Sequence, residues 1–253
     1  MEKLDKVMEK VKLLRAGDKV FPLKDHATVS PVQAAPTVAI SKEQLERNRV
    51  VAHRTRSPEA DVFRILRTQV LQAMTKSGFR SLAITSPNYG DGKTTVSLNL
   101  ALGIALDLKQ TVLLADLDLR KPNVHSYLGV RPKYGLTDYL SNNVPVADCL
   151  MRLPFDRISI LPSGAPLENS SEMLASPRMA ALAHEFKTRY PDRLVIYDMP
   201  PMLAQDDPLA FLPNVDCVLL VVQNGVSRTQ DVERCLEVLA DAQVIGTVLN
   251  NGA

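Results

Sequence analysis

Apolar positions near the start of the chain recur at Leu4, Val7, Met8, Val11 and Leu14 between charged neighbours. That spacing predicts an amphipathic helix within residues 1–16, ended by Gly17 and Asp18. Residues 17–40 carry Pro22, Pro31 and Pro36 among Ala, Thr, Val and Ser without a sustained period, the pattern of a flexible linker. Ser41 with Gln44 three positions on is a capping-box start for a short helix. Ser57 then offers a second cap, Pro58 suits a first helical position, and Val62, Ile65, Leu66, Gln69 and Met74 predict a helix to about Lys76. Beyond residue 80 the period changes. Short apolar runs at 82–85, 112–115, 158–161, 194–197, 217–222 and 244–249 alternate with helical stretches, the clearest at 94–108 and 228–240. Runs this short and this uniformly apolar fit strands buried on both faces, so residues 41–253 are expected to form one α/β domain with a mostly parallel central sheet flanked by helices.

Composition narrows the class. At 253 residues with 45% hydrophobic, 23% charged and 5% aromatic residues, the chain fits one globular domain with an appendage and excludes collagen-like, mucin-like and wholly disordered classes. The formal net charge is +2, yet residues 1–70 hold 14 Lys and Arg against 9 Asp and Glu. The basic excess is modest, and nucleic-acid binding is not expected from it. Cys149, Cys217 and Cys235 form no CxxC pair and are odd in number, which argues for a reducing compartment and against a structural zinc site. Alternating charges after Met1 do not resemble a secretory signal, and the run at 217–222 is too short to span a bilayer. The expected location is cytoplasmic, with any membrane contact indirect or peripheral. The tethered N-terminal helix is then a candidate docking face.

The chemistry concentrates at strand ends. Between the first run and its helix stands Ser86-Pro87-Asn88-Tyr89-Gly90-Asp91-Gly92-Lys93-Thr94-Thr95, a phosphate-binding loop in the right context. Gly90 and Gly92 let the backbone wrap so that successive N–H groups face a phosphate, Lys93 reaches the outer phosphates, and Thr94 suits Mg²⁺. Pro87 takes the place of the pattern's first glycine. The second run ends in Ala115-Asp116-Leu117-Asp118-Leu119-Arg120, where alternation along an extended chain would put Asp116, Asp118 and Arg120 on one side. The fourth ends in Tyr197-Asp198-Met199-Pro200-Pro201, a Walker B pattern whose aspartate holds Mg²⁺ directly or through water.

These residues, with Ser57-Pro58-Glu59-Ala60, Leu161-Pro162-Ser163-Gly164 and Gly246-Thr247-Val248-Leu249-Asn250, resemble the Walker A, Walker A′ and Walker B signature of bacterial tyrosine kinases. That is the family of capsule and exopolysaccharide synthesis and export, and the resemblance runs from about Val50 to Asn250. It implies a P-loop NTPase fold, ATP and Mg²⁺, and an ATP-dependent protein-tyrosine (auto)kinase working with a separate transmembrane chain-length-determinant protein at the inner face of the plasma membrane. Carried over by position, Gly90, Asp91, Gly92, Lys93, Thr94, Thr95 and Asn250 would hold the nucleotide, and Thr94, Asp116 and Asp198 the metal. Lys93, Asp116, Asp118, Arg120 and Asp198 would carry catalysis. The family's oligomerisation motif matches at Asp61, Arg64 and Arg67, making the arginine-rich helix face a candidate subunit interface.

Departures define the alternatives. Tyr89 stands where the family has proline, Met199 where it has a hydroxyl residue that would assist the metal or water, and Asp61 where it has glutamate. The family carries a tyrosine-rich tail, whereas this sequence stops at Asn251-Gly252-Ala253: either the sequence is truncated, or another tyrosine is the acceptor, or the protein uses ATP without tail phosphorylation. An internal acceptor is expected among Tyr127, Tyr134 and Tyr139, which follow the Walker A′ strand in a region read as exposed. Two other readings share the motifs: an ATP-binding regulatory subunit without tail phosphorylation, and a positioning ATPase of the partition and division-site type. The latter carries a signature lysine where this chain has Asn88.

Overall fold

The structure, a computed structural model, describes residues 37–106 and 110–251; the expected N-terminal helix and residues 17–36 of the expected linker lie outside the described residues. The last linker positions differ from expectation: Thr37 bridges to Arg152 in parallel, and the Val38 N–H donates to the Arg152 carbonyl at 2.9 Å.

Two capped helices lead into the sheet. Helix α1 (Lys42–Arg47) starts where the Ser41 hydroxyl accepts the Gln44 N–H, and α2 (Pro58–Ser77) where Ser57 accepts the Ala60 N–H with Pro58 in the first turn. Gly78, left-handed at φ 71°, ends α2. The Gln44 side chain does not close the capping box; its amide donates to the Ser126 carbonyl instead.

The core alternates as its apolar runs predict: β1 (Ser81–Thr85), α3 (Lys93–Ala105), β2 (Thr111–Asp116), α4 (Val124–Leu128), α5 (Leu136–Asn142), α6 (Val146–Cys149), β3 (Met151–Arg152), β4 (Ile158–Leu161), α7 (Ser170–Leu174), α8 (Pro177–Thr188), β5 (Arg193–Asp198), α9 (Asp207–Phe211), β6 (Cys217–Gln223), α10 (Thr229–Val238) and β7 (Val244–Asn250). The strands form one seven-stranded sheet in the order β3-β4-β2-β5-β1-β6-β7, parallel except for the β3–β4 pair.

Period-2 alternation sorts the strands onto two apolar layers. Leu82, Ile84, Val112, Leu114, Ile196 and Leu219 face α2 and α3, whereas Ala83, Leu113, Val195, Tyr197, Val218 and Leu220 face α8 and α10. With both faces covered, no polar alternation survives in β1, β2 or β5, which are buried almost throughout. Helix α3 lies between the sheet and α2 and is buried along nearly all its length. Its one amide side chain, Asn99, accepts the Val51 and Ala52 N–H groups at 2.7 and 2.9 Å and donates to the Arg49 and Thr95 carbonyls. Three of its four hydrogen bonds therefore fasten the 49–52 segment to the helix that carries the phosphate loop.

Candidate active site

Strand order brings the motifs together. Because β5 lies between β2 and β1, Asp116 and Asp198 are direct register partners and Asp198 also pairs with Ile84. Both carboxylates, and the loop leaving β1, thus meet at the carboxyl edge of the sheet, where open α/β folds bind ligands. Thr85 Oγ1 donates to the Pro200 carbonyl at 2.7 Å, and the Met199 and Met202 N–H groups donate to Ile84 and Ser86. The ends of β1 and β5 are locked in place.

The phosphate loop has the conformation its glycines anticipate. Gly90 and Gly92 sit at φ 90° and 97°, and a Cβ on Gly92 would lie 1.9 Å from the Asn250 amide nitrogen. Only glycine fits there. Asn250 uses that approach to donate to the Asp91 carbonyl at 2.9 Å. The buried Asp91 carboxylate accepts from the Asn88 N–H at 2.8 Å and the Ser227 hydroxyl at 2.8 Å, and the Asn88 amide reaches Asp231 at 3.0 Å. Ser227 and Asp231, which no sequence signal singled out, tie the loop to the start of α10.

Inside the loop lies a buried charge cluster. Lys93 Nζ is 3.3 Å from Asp118 Oδ2, Thr94 Oγ1 donates to Asp198 Oδ2 at 2.7 Å, and Ser97 Oγ donates to Asp198 Oδ1 at 2.9 Å. Ser97, unforeseen from the sequence, was detectable: it follows Thr94 by three positions and shares its helix face. Asp116 accepts the Asp118, Asn123 and Val124 N–H groups at 3.2, 3.0 and 3.0 Å, and Asp118 accepts that of Lys121 at 3.0 Å. Burial first, then repulsion from Asp198, pushes the Asp116 carboxyl up to about 8, against the pull of the Val124 N–H. Burial likewise raises Asp198, while Lys93 and the Thr94 and Ser97 hydroxyls oppose it. Burial would lower Lys93, but Asp198, Asp118 and Asp116 outweigh it and hold the ammonium above its ordinary value. An excess of buried carboxylate over cation suits a divalent ion, and Thr94, Asp116 and Asp198 supply the hard oxygen donors that Mg²⁺ takes.

Arg120 does not share that point, correcting the expectation from strand alternation. Extended backbone stops at Asp116 and the chain turns, so Arg120 donates to Ser170 Oγ at 2.7 Å and approaches Asp206 and Asp207 at 3.4 and 3.3 Å. Met199 is fully buried in the apolar layer, where it bears on packing; the hydroxyls on Asp198 come from Thr94 and Ser97. Arg64 pairs with Asp61 and donates to the Arg54 and Thr55 carbonyls, and Arg67 donates to the Gly103 carbonyl at 3.1 Å. Both arginines thus brace the fold, and Val62 and Ile65 stand exposed beside them. Tyr127, Tyr134 and Tyr139 are half-buried, not exposed as expected, because each ring packs on an apolar layer.

Residues 79–247 match the AAA domain family. The tyrosine-protein kinase YwqD of Bacillus subtilis is 31% identical over 209 residues, 82% of this chain and 87% of YwqD. A putative tyrosine-protein kinase EpsB of Ralstonia solanacearum is 35% identical over 76% of this chain, which spans only 26% of EpsB's length. The kinase domain of the Escherichia coli tyrosine kinase ETK superposes with a TM-score of 0.71 at 28% identity, covering 86% of this chain and 91% of that one. The likeness to a Mg-ADP complex of the septum site-determining protein MinD from Pyrococcus horikoshii is weaker, at a TM-score of 0.55 over 67% of this chain and 69% of that one. With its phosphate loop, paired aspartates and strand order in place, the chain belongs to the bacterial tyrosine-protein kinases, on a P-loop AAA-type domain.

Proposed function

We propose that this chain is an ATP-dependent protein-tyrosine kinase that phosphorylates copies of itself and regulates exopolysaccharide or capsule polymerisation and export. One observation carries the reading: two buried hydrogen-bonded groups, Lys93 with Asp118 and Asp116, and Thr94 with Asp198, are brought together by the register pairing of Asp116 with Asp198 beside a glycine-turned phosphate loop. Lys93, now on Asp118, is positioned to trade that partner for the outer phosphates of ATP. The N–H groups of Gly90 to Thr95 wrap the phosphates, and Asn250 keeps the loop from opening. Thr94, Asp116 and Asp198 would hold Mg²⁺, which when bound neutralises phosphate charge. Asp116 and Asp118 are the candidate acceptors of the tyrosine proton. Arg120 would stabilise transferred charge only by leaving Asp206 and Asp207.

The tyrosine specificity, a homo-oligomer through the Asp61, Arg64 and Arg67 face, and a transmembrane chain-length-determinant partner at the inner face of the plasma membrane belong to this proposal. Among the described residues no helix is long and apolar enough to cross a membrane. Phosphotyrosine mapping by mass spectrometry after incubation with Mg-ATP tests the activity: wild type should carry phosphotyrosine and Lys93→Met none. Nucleotide binding without any phosphotyrosine would replace the kinase by a regulatory ATPase. Deleting residues 1–20 should release the protein from its membrane partner, and unchanged co-purification would reject the docking role.

A further inference from the structure

The six tyrosines divide by exposure. Tyr197 is fully buried in β5, edge-on to Phe211 with ring centroids 4.8 Å apart. Tyr127, Tyr134, Tyr139 and Tyr190 are half-buried. Tyr89, 42% exposed, stands in the phosphate loop itself. The Lys121 ammonium lies 4.3 Å from its ring centroid, and its hydroxyl is 3.3 Å from Gln205 Oε1. Burial, then the Asp118 charge, raises the Tyr89 phenol while Lys93 and Arg120 oppose them. The hydroxyl therefore sits in the field of the same charges that would meet the phosphates of ATP. The backbone on either side is pinned by Asp91, Asp231, Ser227 and Asn250, so the ring is presented from a fixed base.

We propose that Tyr89 is a phosphorylation site of this chain, modified by a second copy, and that phosphate on it closes the nucleotide site. The inference rests on the kinase reading above. Tyr89 Oη of one copy attacks the γ-phosphorus of ATP held by the other. The new Oη–P bond replaces the bond from the γ-phosphorus to the β–γ bridging oxygen, ADP leaves with that electron pair, and the phenolic proton passes to a carboxylate of the Asp116 and Asp118 pair in the donor copy. Transfer is between copies because the pinned loop cannot carry its own tyrosine out of the cradle that wraps its own phosphates. Once formed, the phosphomonoester carries a charge of about −1.5 to −2. At the mouth of the loop it adds like charge against the incoming phosphates.

The test mixes wild type, Mg-ATP and a full-length Lys93→Met acceptor that cannot donate, and maps phosphotyrosine on each copy. Phosphate on Tyr89 of the acceptor is expected, absent from the Lys93→Met/Tyr89→Phe acceptor. Asp116→Asn, which keeps Lys93, serves as a second acceptor should Lys93→Met fold poorly. Phosphotyrosine confined to other residues overturns the site and leaves the kinase reading standing; none on either copy overturns both. Tyr89 phosphate on wild type alone, with neither acceptor modified, overturns transfer between copies. Closure is read by titrating a fluorescent ATP analogue into Tyr89-phosphorylated protein before and after phosphatase: at least about tenfold weaker binding is expected before treatment, and equal affinity overturns it.

Discussion

Replacing Lys93 with methionine asks whether its ammonium is what lets three carboxylates be buried together. Methionine keeps most of the stem's volume and removes the charge. Two unit charges 3.3 Å apart attract by about 5 kcal/mol at an effective dielectric of about 20, and stranding one member of a buried pair costs about 3–5 kcal/mol. The loss must also depend on pH. Asp116 titrates at about 8 in the fold against 3.8 as an ordinary aspartate, so folding takes up a proton between those values. Stability from this group is present below the unfolded pKa and is lost as pH rises through the folded one. Without Lys93 the Asp116 and Asp198 carboxyls rise further, and the penalty is worst where the buried carboxylates would be charged. Urea unfolding in divalent-free buffer should show Lys93→Met less stable than wild type by about 3–5 kcal/mol at about pH 8.5, and by half of that or less at about pH 5.5. A loss under about 1 kcal/mol at both values, or one equal at both, would refute the picture of Lys93 as the cluster's counter-charge.

Three further outcomes follow from the same geometry. Asp116→Asn should keep ATP binding, lower tyrosine phosphorylation at least about 100-fold and flatten the stability loss between about pH 4 and 8; full turnover would remove Asp116 from catalysis. Gly92→Ala should cost about 2 kcal/mol in thermal unfolding and weaken nucleotide binding at least about tenfold, because its Cβ drives Asn250 off Asp91 at a positive-φ position. Asn250→Ala in the same background should recover part of the stability, and no recovery would place the strain elsewhere. Arg120→Ala should destabilise by about 3 kcal/mol in denaturant titrations by leaving the buried Asp207 without its cation, and adding Asp207→Asn should restore most of it.

Much of this site was legible in one dimension. The glycine spacing of the phosphate loop, the aspartates closing the second and fourth apolar runs, and the Ser57-Pro58 helix start are local patterns, and each lies where its pattern implies. Helix α8 begins with the same signal, Ser176 capping and Pro177 in the first turn, and was open to the same reading. The two-residue β3 has no period to detect. What the chain could not show by itself is adjacency. Asp116 and Asp198, 82 positions apart in sequence, become register partners only because β5 inserts between β2 and β1. Lys93 meets Asp118, and Arg120 leaves for Asp207, because the backbone turns after Asp116. Met199 and Tyr89 were read by family position, and the packing of two apolar layers put the first in the core and left the second exposed. Periodicity and motif spacing are local quantities, written in consecutive residues; which charges share a buried volume depends on strand order and chain direction, and those are set by how the two covered faces of the sheet pack.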